Sequence, residues 1–277
     1  MTVTFNDIQS MLEARRPLPE PCAGACTLVF NQLQEEDIPL STDWRYVIQR
    51  VAQFQNKAWP QIRHPRVAIY ASDYGQGDLA TTQKRLSQLA RQEDPLTRLC
   101  SMANADLRVY ELDLSQPIPE KGISEEEASH ALSYGLMAVE EHVDCLIVDC
   151  LSSHATRILE AWQTLLLQEN TTSPLQLLQQ AGAGHDVFAA IGAVFAARMA
   201  NIPVFGNAVL STVVPLALST LLPGEKDVFM TMPTAFPATN VVHALAGLQE
   251  LQVILALGPT PLKTTQITPQ SGASVAA

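Results

Sequence analysis

The stretch from Ala181 to Leu218, AGAGHDVFAAIGAVFAARMANIPVFGNAVLSTVVPLAL, restricts the fold more than any other part of the chain. Its VFAAIGAVFAARM core is apolar or small on nearly every helical face, so a helix there has to be covered on all sides. Layers of sheet and helix supply that cover. Gly182 and Gly184 break the pattern before it, and Asp186 stands where a helix N-terminus favours a cap or an acid. Ile202–Phe205 reads as a short strand, and Val209–Leu222 as a second buried helix with Pro215 early in it.

Short apolar runs alternate with helical patterns elsewhere. Val67–Ala71, Leu107–Leu112, Asp144–Val148, Phe229–Met232 and Val253–Leu257 read as further strands. Leu107–Leu112 alternates apolar with charged residues, as an edge strand with one wetter face does. Helices are expected over 5–16 (capped near Asn6 or Asp7), 40–57, 79–91, 96–103, 124–141, 158–168 and 240–251, with a short one from Pro174. Ser124 followed by Glu127 is a capping-box signature. This order predicts an α/β fold: a parallel sheet with helices on both faces, plus a small N-terminal helical segment. The expected division is an N-terminal segment over 1–64, an α/β domain over 65–262 and a polar tail over 263–277. Ligands of such sheets bind at the carboxyl ends of the strands. The turns Ser72–Gly75, Asp149–Ser153, Gly206–Asn207 and Gly258–Thr260 should therefore converge.

Composition narrows the partners. A net charge of −11 over 277 residues, with no basic tract, argues against a nucleic-acid groove. No apolar run is long enough for a membrane span, and the N-terminus MTVTFNDIQSMLEARR has no secretory character. The odd cysteine set Cys22, Cys26, Cys100, Cys145 and Cys150 suits a reducing cytoplasm. Cys22 and Cys26 lack a second ligand pair at zinc spacing, so neither a metal nor another cofactor is expected.

Candidate chemistry sits in the turns. Asp73 follows a strand, where a carboxylate binds a ribose hydroxyl or acts as a base; it equally suits a turn with Gly75. Asp149-Cys150-Leu151-Ser152-Ser153-His154-Ala155-Thr156 follows another strand and opens a helix. Ser152, Ser153 and Thr156 can hold a phosphate there or simply cap the helix, and the absence of glycine hinders close backbone approach. Spacing alone does not make Cys150 and His154 a nucleophile pair. His185 is placed in a loop, while His130, His142 and His243 read as helix-face residues. Gly182-x-Gly184 is no dinucleotide loop, because Val187 stands where the next glycine belongs and a helical pattern precedes it.

From Arg66 to Pro261 the chain resembles the nicotinate-nucleotide:dimethylbenzimidazole phosphoribosyltransferase family of cobalamin biosynthesis. GAGHDVFAAIGAVFAARMANIPV is similar to the family's glycine-rich turn, acidic residue, small-residue helix and Pro-Val strand. RVAIYASDYG resembles its first strand and Ala-Asp-His-Gly turn, and ADLRVYELDL its second strand. DCLIVDCLSSHAT resembles the Glu-x-Gly-x-x-Asn-Thr-Thr phosphate loop, and LALGPTP the late strand with its Leu-Gly-Glu-Gly motif. The resemblance implies a Rossmann-like sheet with a small helical domain, usually in a homodimer. It implies phosphoribosyl transfer from nicotinate mononucleotide to a benzimidazole-type base, with a nucleotide and an aromatic base as small-molecule partners. On matching positions the substrate-binding candidates are Asp73, Gly75, Ser152, Ser153, Thr156, Asp186, Asn207, Ser211, Phe236 and Gly258.

Several positions depart from that pattern. Pro259 stands where the family carries the glutamate that takes a proton from the attacking base. Leu151 replaces the phosphate-loop glycine and His154 its asparagine. Asn207 replaces an aspartate, Tyr74 the histidine of the first turn, and Ala235 a later histidine. A working transferase then needs another base, for which Asp73, Asp149 and His154 are the sequence candidates. The alternative is a catalytically inactive binding protein on the same scaffold, or a subunit that associates with an intact paralogue.

Overall fold

The computed structural model describes residues 4–14, 23–24, 27–28, 31, 40–57, 59–75, 78–151, 155–168, 174–206, 229–230 and 241–257. Strands β1 (Pro65–Ala71) and β3 (Cys145–Cys150) are buried at every residue, as strands covered on both faces must be. β1 pairs in parallel with β2 (Asp106–Glu111) on one side and with β3 on the other, in registers Arg66↔Asp106 and Tyr70↔Cys150. β3 continues in parallel to β4 (Val204–Gly206), and β4 to the two-residue β5 (Phe229–Met230). The sheet order is β2-β1-β3-β4-β5, so the direction of winding reverses between β1 and β3.

Strand periodicity divides the core in two. Ala68, Tyr70, Leu146, Val148 and Val204 point to one face and pack with residues of α1 (Phe5–Ala14), α5 (Glu125–Gly135), α6 (Ala155–Gln168), α7 (Pro174–Gln180) and α8 (His185–Met199). Val67, Ile69, Cys145, Ile147 and Phe205 point to the other. They meet α2 (Thr42–Gln55), α3 (Asp78–Ala90), α4 (Pro95–Met102) and α9 (Val241–Leu257). Trp44 and Trp59 tie the N-terminal region to α9, their indole nitrogens donating to Glu250 Oε1 and the Leu255 carbonyl at 3.0 Å each.

The all-apolar helix behaves as its sequence requires. Every residue of α8 from Asp186 to Arg198 is buried. Two glycines let it lie against α5 in backbone contact. A side chain at Gly192 would run into the Leu132 carbonyl, and one at Gly135 into the Ala189 carbonyl. Ser124 and Glu127 form the expected capping box at the start of α5.

Some boundaries differ from the sequence reading. α1 starts one residue earlier than Asn6: Thr4 Oγ1 accepts from the Asp7 N–H at 3.2 Å and the Thr4 N–H donates to the Asp7 carboxylate at 2.8 Å, so Asp7 takes part in the cap from inside the first turn. α5 ends at Gly135 and passes through a 3-10 turn over Leu136–Ala138, so His142 lies in a turn and not on a helix face. Val253–Leu257 is no strand: it is the last stretch of α9. An apolar run of that length suits a buried strand or helix equally, and nothing between Val241 and Leu257 breaks a helix. The expected helix over Val209–Leu222 and the 263–277 tail lie outside the described residues.

Candidate functional site

The turn Ser72–Gly75 leaves the end of β1, and Leu151 leaves the end of β3 beside it, its N–H donating to the Tyr70 carbonyl at 2.8 Å. The expected convergence therefore holds for these two turns and for Gly206 at the end of neighbouring β4. Gly258–Thr260 follows a helix rather than the expected strand, and the turn itself lies outside the described residues. Gly258 and Pro259 lie outside the described residues, as do Ser152, Ser153, His154, Asn207, Ser211, Ala235, Phe236 and the Cys22/Cys26 pair. Thr156 falls in the first turn of α6.

Asp73 is buried, and its Oδ1 accepts from the Gly75 N–H at 2.8 Å, so the side chain builds the turn that carries Tyr74. Gly75 has φ of +72°, the left-handed conformation this turn needs. Asp149, also buried, accepts from the Cys150 N–H at 3.0 Å.

Behind this turn lies a buried polar group of residues distant in sequence. The Tyr74 hydroxyl donates to Asp186 Oδ1 at 2.6 Å and accepts from the Gly184 N–H at 3.0 Å. Asp186 N–H donates to Ser72 Oγ at 3.0 Å, and Val187 N–H to Asp186 Oδ1 at 2.9 Å. The N-terminus of α8 is thus fastened to the end of β1. Gly184 is the residue that permits it, since a side chain there would meet Ile118 and the Tyr74 hydroxyl. Asp186 Oδ2 is buried with no hydrogen-bond partner, and Asp186 forms no ion pair among the described residues.

The electrostatics follow from that burial. Desolvation raises the Asp186 carboxyl to about 6, against hydrogen bonds from Tyr74, backbone N–H groups and Ser72 that favour the charge. Burial also pushes the Cys150 thiol up, and the Asp186 and Asp149 carboxylates beside it push the same way. Cys150 is held as a thiol, which removes the nucleophile from the Cys150–His154 pairing. His185, which opens α8 rather than sitting in a loop, is lowered by burial, and its Nδ1 has no hydrogen-bond partner among the described residues.

A cleft of about 230 Å³ borders Tyr74; Ile118, Glu120, Arg157, Ala161 and Gly182 also line it. Its size suits one aromatic ring or a phosphoryl group rather than a whole nucleotide. Arg157, exposed in the first turn of α6, gives the cleft a cation, and Glu120 lines the same cleft. A larger cavity, about 560 Å³, lies between α3, α4 and the start of β2, away from the carboxyl ends of the strands. Its Cys100 thiol is pushed by burial up to about 12. No cluster of metal-ligating side chains occurs among the described residues.

Sequence reading picked out Asp73, Asp149 and Asp186 singly. It missed the pairing of Asp186 with Tyr74, and it missed Arg157. Spacing carries no sign of a contact across 112 residues; the one local clue is a helix N-terminal acid preceded by glycine and followed by an all-apolar helix.

No protein-family model matches the chain. It is 25% identical, over 95% of its length and 88% of the relative's, to the nicotinate-nucleotide–dimethylbenzimidazole phosphoribosyltransferase of Rhizobium rhizogenes strain K84. It is 24% identical to the enzyme of that name from Rhizobium etli strain CIAT 652, over 93% of this chain and 86% of the other. The crystal structure of the nicotinate-nucleotide–dimethylbenzimidazole phosphoribosyltransferase of Thermus thermophilus superposes with a TM-score of 0.69 at 15% identity. That match covers 84% of this chain and 96% of that one. The chain is a distant homologue of the nicotinate-nucleotide–dimethylbenzimidazole phosphoribosyltransferases.

Proposed function

We propose that this protein transfers a phosphoribosyl group from a nicotinate nucleotide to an azole base of the benzimidazole type, in the pathway that makes the cobalamin lower ligand. The observation that carries the reading is a buried acid with no ion-pair partner among the described residues, at the β1/β3 switch point and fastened to a tyrosine that borders a cleft, in a chain aligned along nearly its whole length with such enzymes. Buried ionisable groups with raised proton affinity concentrate at working sites.

In this reading Arg157, exposed at the edge of the cleft, and the N-terminal turn of α6, with Ser152, Ser153 and Thr156, attract the phosphate outside it, which leaves the cleft itself to the aromatic ring. Asp149 stands at the end of β3, where a carboxylate meets ribose hydroxyls. Asp73 shapes the turn and does not reach out from it. The aromatic base lies over the glycine surface at Gly182, with Asn207, Ser211, Phe236 and Gly258 as further contacts by family position. The reaction needs no metal or organic cofactor. No helix among the described residues is long and apolar enough to cross a membrane, and the reduced, buried Cys100, Cys145 and Cys150 support a cytoplasmic setting.

Incubation of the purified protein with nicotinate mononucleotide and a panel of benzimidazoles tests the reading. Released nicotinate together with a new nucleotide of matching mass supports it. The absence of product with every acceptor contradicts it. That second outcome would favour the reading as a binding subunit, which Pro259 and the side chain of Leu151 at family catalytic and glycine positions support. Co-purification of an intact paralogue, or a second copy in a homodimer, would then be the finding to seek.

A further inference from the structure

An azole that attacks an anomeric carbon through one ring nitrogen must give up the proton on the other. Some group near the cleft has to receive it. Among the described residues the sequence candidates serve poorly: Asp73 holds its own turn, and Asp149 accepts from the neighbouring Cys150 N–H. Tyr74 borders the cleft, and its hydroxyl is bonded to a carboxylate buried behind it. A phenolic oxygen can accept as well as donate, and the Tyr74 oxygen already accepts from the Gly184 N–H while donating to Asp186.

We propose that Tyr74 is the catalytic proton acceptor of the transfer and that Asp186 is the positioning residue that takes the phenolic proton in the same event. The inference rests on the phosphoribosyl-transfer reading. The lone pair of one azole nitrogen forms the new bond to the anomeric carbon. The bond from that carbon to the nicotinate nitrogen breaks, and its electron pair returns to the nicotinate ring. The proton on the second azole nitrogen passes to Tyr74 Oη while the Tyr74 proton passes to Asp186 Oδ1. The phenol never carries a charge, which matters because burial and the adjacent Asp186 raise its pKa well above the ordinary value. After product release the Asp186 proton returns to Tyr74 Oη, and the proton that Tyr74 took from the azole leaves to water in the cleft.

Three features of the site suit the task. Asp186 is fully enclosed and free of an ion-pair partner among the described residues, so no countercharge weakens it as a proton acceptor. Among the described residues the groups that face it are Tyr74 and Ser72 from the β1 turn, Cys150 from β3, and the N–H groups of its own helix. None of them is a cation. Desolvation places its proton affinity at about 6, high enough to accept a proton and low enough to stand ionised at neutral pH.

The test is the rate of nicotinate release against pH for wild type, Tyr74→Phe and Asp186→Asn, with a melting curve for each. Wild-type kcat is expected to rise with pH through about 6, as Asp186 loses its proton. Tyr74→Phe, which keeps the ring, is expected to lower kcat by about 10²–10⁴-fold with little change in KM. Asp186→Asn is expected to lower kcat and abolish the limb near pH 6. Should Asp186→Asn fail to fold, Tyr74→Phe decides alone. A Tyr74→Phe enzyme with wild-type kcat and pH profile overturns the relay and leaves the transferase reading standing. A wild type without turnover at any pH overturns both.

Discussion

The two ends of strand β1 bury charge in opposite ways. At the N-terminal end Arg66 is 0% exposed and fully matched. Its guanidinium donates to Asp106 Oδ2 at 2.7 Å and to the Ala138 carbonyl at 3.0 Å, and pairs with Glu140 at 3.1 Å. Just beyond the C-terminal end, Asp186 is as deeply buried, has no ion-pair partner among the described residues and leaves one oxygen without a hydrogen bond. Burial opposes the charge on Arg66, but its bonds to Glu140 and Asp106 outweigh that and raise its pKa. For Asp186 burial wins. A satisfied buried ion fixes strand register. An unsatisfied one costs stability, and this one stands at the edge of the sheet where ligands of such folds bind.

The difference has consequences of opposite sign with pH. Asp106 and Glu140 are held below their ordinary values: for Asp106, Arg108 and Arg66 outweigh partial burial, and for Glu140 the Arg66 bond dominates. Their contribution is present above the ordinary carboxylate range and is lost in acid. Asp186 is held above its ordinary value, so its protonated form favours folding at low pH, and that contribution is lost as pH rises through about 6.

The sharpest break of the N-terminal end is Arg66→Met. It removes the buried donor of the Ala138 carbonyl and the bonds to Asp106, so about 3 kcal/mol of stability should be lost even though Asp106 and Glu140 can take up water, read as a lower urea midpoint. Nicotinate release, per folded molecule, should survive. At the other end Gly184→Ala forces Ile118 or Tyr74 aside. About 2 kcal/mol should be lost in the same assay, with a steep fall in turnover. Tyr74→Phe leaves Asp186 Oδ1 with one donor fewer and the Gly184 N–H without an acceptor, and should cost about 1–2 kcal/mol. Glu140→Gln should have the smallest effect, because Glu140 is about half exposed and water replaces what it loses. A Glu140→Gln effect as large as that of Arg66→Met would undo the contrast, since it would place the stabilisation in the exposed carboxylate.

How far the sequence carried depends on whether the signal was local. β1 and β3 were legible because strands covered on both faces become unbroken apolar runs, and the Ser124–Glu127 box because capping acts over three residues. Val253–Leu257 was misread although Leu248, Leu251 and Leu255, spaced for one helix face, carry the α9 pattern past Leu251. The run of small and apolar residues hid that period. Asp73 and Asp186 were visible as acids at element ends, but their roles were not. Asp73 turned out to serve its own turn, and Asp186 works with a tyrosine brought to it only by the pairing of β1 and β3 and the packing of α8 across them. Arg157 was passed over because a lone arginine in an amphipathic helix carries no pattern, and only the cleft gives it meaning.

The central question is whether burial outweighs the hydrogen bonds that favour the Asp186 carboxylate. Equilibrium urea unfolding of wild type and Asp186→Asn at pH 4.5 and pH 7.5 measures this, and the difference between the two proteins cancels every other titrating group. The account predicts that the variant gains on the order of 2 kcal/mol relative to wild type between the two pH values, as the wild-type carboxyl is forced to ionise inside the protein. A difference that stays constant between pH 4.5 and pH 7.5 would contradict it.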